Sequence, residues 1–352
     1  MKIPRILLTT ALTLGLSSAC DAPLDDDALA EAAFDDDGAD FRAGYGSGMR
    51  FNTNSSGPHA YAHIKIGDPS PDGAELLWMT YYNNQTGNTE LVDLESVALD
   101  DHGHLEAHTY QGTHLFHGQF SATRWYVEIN GYELYELRVE ASSNLAVPGD
   151  PQPYASYKFE WNNNGEGWLP TCAEQPGDQL NAALFRDLQV NHSTGDVSPS
   201  ADTLYVGCLT GAVGKAVTWG YNPNAMTTNY GQGAALSYFE ATIRMIRADY
   251  CGDGSSWTQP GNSVWVADHL GANQFPLFYP QPANEAVWGL HGALCVDTPR
   301  DPAYHNTIVG CWHASGWFWS YDAIPSCSPN ASSWYNALFF FDEAVSWTKN
   351  TF

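Results

Sequence analysis

Two aspartates, five histidines, seven cysteines and a wealth of aromatic rings are the residues of this chain whose types and spacing could do chemistry. Asp249 and Asp253 stand four apart at the end of a helical pattern. Two neighbouring carboxylates can split their pKa values into an acid and a base. The simpler reading is favoured: Asp249 pairs with Arg247 or accepts from local amides, and Asp253 shapes a turn. His102, His104, His108, His114 and His117 crowd one short stretch, where imidazoles at such spacing can ligate zinc or copper. The preferred alternative makes Asp101-His102-Gly103-His104 a polar turn, with the other histidines on solvent faces of strands. No metal and no other cofactor is therefore expected. Trp312, Trp317, Phe318, Trp319, Tyr321 and Trp334 are rings that stack on sugars or fill a core, and core packing is the commoner fate.

Other catalytic signatures fail. The chain has no G-x-S-x-G, no H-E-x-x-H and no P-loop. Gly231-Gln232-Gly233 lacks the third glycine and the preceding strand of a dinucleotide site. Formal net charge is −26, from 14 basic and 40 acidic residues. Such a surface repels phosphate backbones and anionic headgroups, so nucleic acid is excluded as a partner.

The N-terminus reads as an export signal over 1–19. Lys2 and Arg5 precede an apolar run from Ile6 to Leu16, and small residues lead to Cys20. That run is too short to span a membrane as a helix. Cys20 at the exit predicts lipid attachment, with plain secretion as the alternative. Removing Cys20 leaves an even six cysteines, which suits an oxidising compartment. Nine acidic residues and no basic ones lie between Asp21 and Asp40, so 20–57 is expected to be an extended, disordered tether.

The elements that must position the chemistry follow from periodicity. Over 58–167 the chain reads as β. Trp125, Val127 and Ile129 alternate with polar neighbours, Asn130-Gly131 is a hairpin signal, and Ala155, Tyr157, Phe159 and Trp161 mark a further strand. Over 168–352 the pattern is mixed. A short helix is expected near Gly211–Trp219. Leu236, Phe239, Ile243, Ile246 and Tyr250 recur at helical spacing, ended by Gly252, with Glu240 and Arg244 as a surface pair. Val264–Val266, Glu285–Trp288 and Ala293–Val296 read as strands. Cys172, Cys208, Cys251, Cys295, Cys311 and Cys327 are expected as three disulfides, each contributing about 2–4 kcal/mol. The sequence-local pairing is Cys172–Cys208, Cys251–Cys295 and Cys311–Cys327.

The run Ala248-Asp249-Tyr250-Cys251-Gly252-Asp253-Gly254 resembles the signature of the bacterial ADYC-domain family. Trp168-Leu169-Pro170-Thr171-Cys172, Cys208, Lys215, Trp219-Gly220-Tyr221, Trp288-Gly289, Gly292–Val296 and Pro299-Arg300 resemble further segments of that domain, so the likeness covers roughly 168–300. It implies an exported or lipoprotein domain without an assigned activity. It also implies that two cysteines usual in the family, after Lys215 and at Thr242, are replaced here by Ala216 and Thr242. Their joint absence suggests a lost bond between two facing helices.

The resulting expectation is an α+β chain. An N-terminal antiparallel β domain, sandwich- or barrel-like, precedes a disulfide-stapled ADYC-like α+β domain with two short-to-medium helices. The expected role is binding or structural display in the cell envelope, without enzymatic activity. The protein would touch the membrane through the Cys20 lipid alone and engage envelope polysaccharide or protein. The rival is a secreted glycan-active hydrolase or carbohydrate-binding protein.

Overall fold

The computed structural model describes residues 49–54, 62–148, 150–162, 167–172, 180–258, 264–268, 284–301, 312–314, 321–324 and 346–350, with isolated positions between them. The signal, Cys20, most of the acidic tether and Cys311 lie outside these residues. Eleven strands come first: β1 His63–Ile66, β2 Ala74–Asn83, β3 Asn88–Leu99, β4 Leu105–Thr109, β5 His114–Phe116, β6 Thr123–Ile129, β7 Glu133–Leu145, β8 Tyr154–Asn162, β9 Trp168–Pro170, β10 Ala182–Val190 and β11 Val197–Cys208. Helices α1 Ala212–Thr218, α2 Pro223–Tyr230 and α3 Gln232–Arg247 follow. Then come β12 Val264–Asp268, β13 Asn284–Gly289, β14 Gly292–Val296, β15 Trp312–Ala314, β16 Tyr321–Ala323 and β17 Ser346–Asn350.

Alternation builds the first sheet into a closed barrel. Along β6 every odd position from Thr123 to Ile129 is buried and every even one is partly exposed. The hairpin to β7 turns on Asn130 and Gly131, both at positive φ, as that dipeptide predicts. The ring runs β1-β11-β10-β8-β7-β6-β2 and closes where β1 pairs parallel with β2. Leu76, Met79, Trp125, Val127, Leu137, Phe159, Leu184 and Val206 fill its interior. Closure removes the unpaired edges an open sheet would expose. β3, β4 and β5 continue the sheet outward from β2.

The barrel is thus not confined to 58–167: β10 and β11 belong to its ring, and β9 pairs with β8 beside it. The sequence pattern gave no strand here because Pro199 and the irregularity between Arg186 and Leu188, with Asp187 at φ 57°, interrupt the alternation. Residues 49–54 also depart from the tether reading. Met49 and Phe51 are buried, and the Asn52 side chain donates to Val206 O and accepts from Cys208 N. The Cys172–Cys208 disulfide joins the end of β9 to the end of β11, as expected.

The helices pack on β10 and β11, with Phe185 and Phe239 rings 5.4 Å apart. α2 was not anticipated, although its start is legible. Asn222 caps the amides of Asn224 and Ala225, and Pro223 fills the first helical position. Ala216 on α1 and Thr242 on α3 are both completely buried. A second sheet of order β12-β17-β13-β14 holds the expected hairpin at Gly289–Gly292.

The other two expected pairings are overturned. Cys295 bonds Cys327, with Cα atoms 5.0 Å apart, and Cys251 is itself disulfide-bonded. Neither Cys251–Cys295 nor Cys311–Cys327 can therefore form. Order along the chain does not set the pairing: Cys295 passes over Cys311 to bond Cys327, which is nearer in sequence than Cys251. Among the described residues, no helix is long and apolar enough to cross a membrane.

Candidate functional site

The ADYC run sits where α3 ends, and each of its residues has a local task. Ala248 adopts the left-handed conformation, at φ 53° and ψ 40°. Its amide donates to Met245 O, and the Asp249 amide donates to Arg244 O at 2.9 Å. These paired bonds close the helix as a Schellman motif. The stop is therefore Ala248, not Gly252 as the sequence suggests. Gly252 serves a close approach: a Cβ there would lie 2.0 Å from His291 O.

The Asp249 carboxylate is fully enclosed. It accepts from the amides of Asp253 and Gly254 and from Arg244 Nη1 at 2.8 Å. Burial pushes its pKa up to about 6, against the pull of the Arg244 and Arg247 guanidiniums. Arg244 has only 1% of its side chain exposed and also reaches Glu240 at 3.1 Å and Asp196 at 2.7 Å. Glu240 and Arg244 thus form a buried pair rather than a surface one, because β11 packs over that helix face: Glu240 also accepts from Val197 N. Asp249 and Asp253 make no acid/base pair open to substrate. The partner of Asp249 is Arg244 rather than Arg247. Arg247 instead lies 3.8 Å over the Phe51 ring and bonds Met49 O and Gly254 O.

Tyr250 ties the helix end to the second sheet. Its hydroxyl donates to Glu285 at 2.8 Å and accepts from Arg300 N at 2.8 Å, and its ring stacks on Trp288 at 5.1 Å. The Arg300 guanidinium binds Glu285 and the terminal helix carbonyls of Met245 and Ile246. Segments far apart in sequence thus converge on one tyrosine.

The histidines divide. Asp100 accepts from the amides of His102 and His104 and bonds His104 Nδ1 at 2.9 Å, which is the polar turn expected. His117 faces the Tyr157 hydroxyl, and burial lowers its pKa. His108 and His114 form a separate exposed pair with Glu106. An aspartate–histidine pair that the sequence reading missed, His63 Nδ1 to Asp72 at 2.6 Å, is structural: Nε2 of His63 accepts from Val190 N. Its partners are nine residues apart, with no motif to announce them. Of the C-terminal aromatic side chains, those of Trp312, Trp317, Phe318, Trp319, Tyr321 and Trp334 all lie outside the described residues.

The open feature is on the outer wall of the barrel. Trp78, Tyr126, Glu136, Asn162 and Trp168 are successive cross-strand partners over β2, β6, β7, β8 and β9. Four strand spacings make the row about 19 Å long. Trp78 and Tyr126 stack at 4.7 Å. Arg124 contacts Glu136 at 3.3 Å, Arg138 contacts Glu160 at 2.5 Å, and both guanidiniums lie over the Trp168 ring, at 5.4 and 4.2 Å. A half-exposed row of this kind offers apolar ring faces beside paired donors and acceptors.

A family model described as the ADYC domain matches residues 117–302, more than half of the chain. The chain belongs to the ADYC-domain family. The ADYC match begins well before residue 168, within the strands of the barrel, which fits a sheet that runs across both sequence regions. No curated protein and no solved structure matches significantly.

Proposed function

We propose that this ADYC-domain chain is an exported binding module of the cell envelope, lipid-anchored at Cys20, that holds polysaccharide on the outer wall of its barrel. The observation that carries the reading is the five-strand row from Trp78 to Trp168. Sugar rings are recognised by an aromatic face under their C–H groups and by bidentate polar groups beside it. Trp78 and Trp168 supply the first at either end, and Arg124, Glu136, Arg138 and Asn162 supply the second. Binding is favoured over hydrolysis because, of the two carboxylates of the ADYC turn, Asp249 is enclosed and bonded to Arg244, and exposed Asp253 accepts from the Ser255 amide. The carboxylates of the row face arginine. Disulfides at Cys172–Cys208 and Cys295–Cys327 are compatible with an extracytoplasmic setting.

The test is retention on immobilised envelope polysaccharide, with Trp78→Ala and Trp168→Ala beside wild type. Removing one stacking ring should weaken retention about tenfold, with reducing-sugar release absent throughout. Equal retention by both variants and wild type would defeat the reading. Mass spectrometry of the mature N-terminus tests the anchor, and an underivatised Cys20 in a water-soluble form would refute it.

A further inference from the structure

We infer that Glu106, His108 and His114 form a binding site for a divalent transition-metal ion, with zinc as its probe, on the exposed face of the β4–β5 hairpin. The register places the donors. His108 and His114 are direct cross-strand partners, and Glu106 lies two residues before His108. Opposite residues in an antiparallel pair share a face, and so do residues two apart along a strand. All three side chains therefore rise from one side of the sheet. Their ligand atoms lie within 4.8 Å of one another. The imidazole rings stack at 4.7 Å, and His114 Nε2 is 2.7 Å from Glu106 Oε1.

The hairpin holds this arrangement without a long loop. Thr109 N donates to Thr113 O and Gly112 N to Thr109 O, so the turn between the two histidines is pinned. Asp93 on β3 is the cross-strand partner of His108 on its other side, which adds a carboxylate to the same row. Among the described residues, neither lysine nor arginine pairs with any of the three donors, whereas Asp100, His104 and His117 are already engaged with amides, each other and Tyr157.

Two imidazole nitrogens and one carboxylate suit zinc, a borderline ion, and leave a fourth tetrahedral position for water or another ligand. The hydrogen now shared between His114 and Glu106 must leave Nε2 when the metal takes that lone pair. A neutral ring moves it to Nδ1, and a protonated ring releases it, so metal and proton compete. A chain of net charge −26 draws cations toward such a face. The strands concerned are not those of the aromatic row, so this site stands or falls separately from polysaccharide binding.

Isothermal titration of the purified protein with Zn²⁺ decides the matter. Wild type should bind one zinc per chain through this site. His114→Ala and Glu106→Gln should each weaken that binding at least about tenfold, and His108→Ala/His114→Ala should abolish it. His102→Ala/His104→Ala should leave it intact. Titration with Co²⁺ should give a visible absorption band in wild type that is missing in His114→Ala. No zinc uptake by wild type, or uptake undiminished in both His114→Ala and Glu106→Gln, would overturn the site. These substitutions are at the surface, and circular dichroism checks that each variant is folded.

Discussion

Arg244 and Arg138 both gather carboxylates, one inside the fold and one on its wall. Arg244 is enclosed and joins Glu240, Asp196 and Asp249, as well as the Thr194 and Leu290 carbonyls. Arg138 keeps 27% of its side chain exposed, meets Glu160, and lies over Trp168. A buried guanidinium is stable only while every partner is present, because the alternative is an unpaired charge in low dielectric. A surface guanidinium exchanges partners with water at little cost. The ADYC turn is therefore a joint, and the barrel row is a surface with groups to offer a ligand.

Removing Arg244 should test the joint most severely. Arg244→Met strands Asp249 and Glu240 and should cost about 3–5 kcal/mol of stability, read by urea unfolding. A loss below about 1 kcal/mol would mean that the buried network contributes little.

The pH response of Asp249 is a finer probe. Its folded value of about 6 lies above the ordinary 3.8. Between these values the folded state binds more proton than the unfolded one, so this contribution is present at low pH and lost as pH rises through about 6. The advantage of wild type over Asp249→Asn should therefore shrink from about pH 4 to about pH 6, by about 3 kcal/mol at most, and stay level above. The opposite slope would show that the Arg244 ion pair outweighs burial.

Restoring the family's cysteine pair probes how closely α1 and α3 approach. Ala216→Cys/Thr242→Cys should oxidise and raise stability by about 2 kcal/mol, measured with and without reductant. Two free thiols after oxidation would show that the helices do not face each other there.

The smallest effect belongs to the wall. Trp78→Ala and the Arg124→Ala/Glu136→Ala pair should each change stability by about 1 kcal/mol or less. A loss as large as that of Arg244→Met would make the row part of the core and end its role as a binding surface.

Several features were legible because they rest on local rules. Alternation in 123–129 produces a strand with one wet face whatever it packs against, and Asn130-Gly131 turns because both residues accept positive φ. The helix 232–247 follows from its apolar spacing, and the turn after it is legible in Asp249 and Asp253, where the Asp253 amide donates to the Asp249 carboxylate. The resemblance was legible for the same reason: its motif is one contiguous run. What stayed hidden depends on residues that meet only when the chain is folded. Barrel closure joins β1 to both β2 and β11, the latter just over 140 residues away at His63 and Tyr205, and no local pattern encodes that pairing. Cys295 bonds Cys327 past the intervening Cys311, a choice that the order of cysteines along the chain does not reveal. Glu240 and Arg244 read as a solvent pair until β11 covers them. The row from Trp78 to Trp168 draws on five strands, so the tertiary register alone assembled it. Local backbone preference is written residue by residue, whereas burial and cross-strand neighbours are properties of the packed whole.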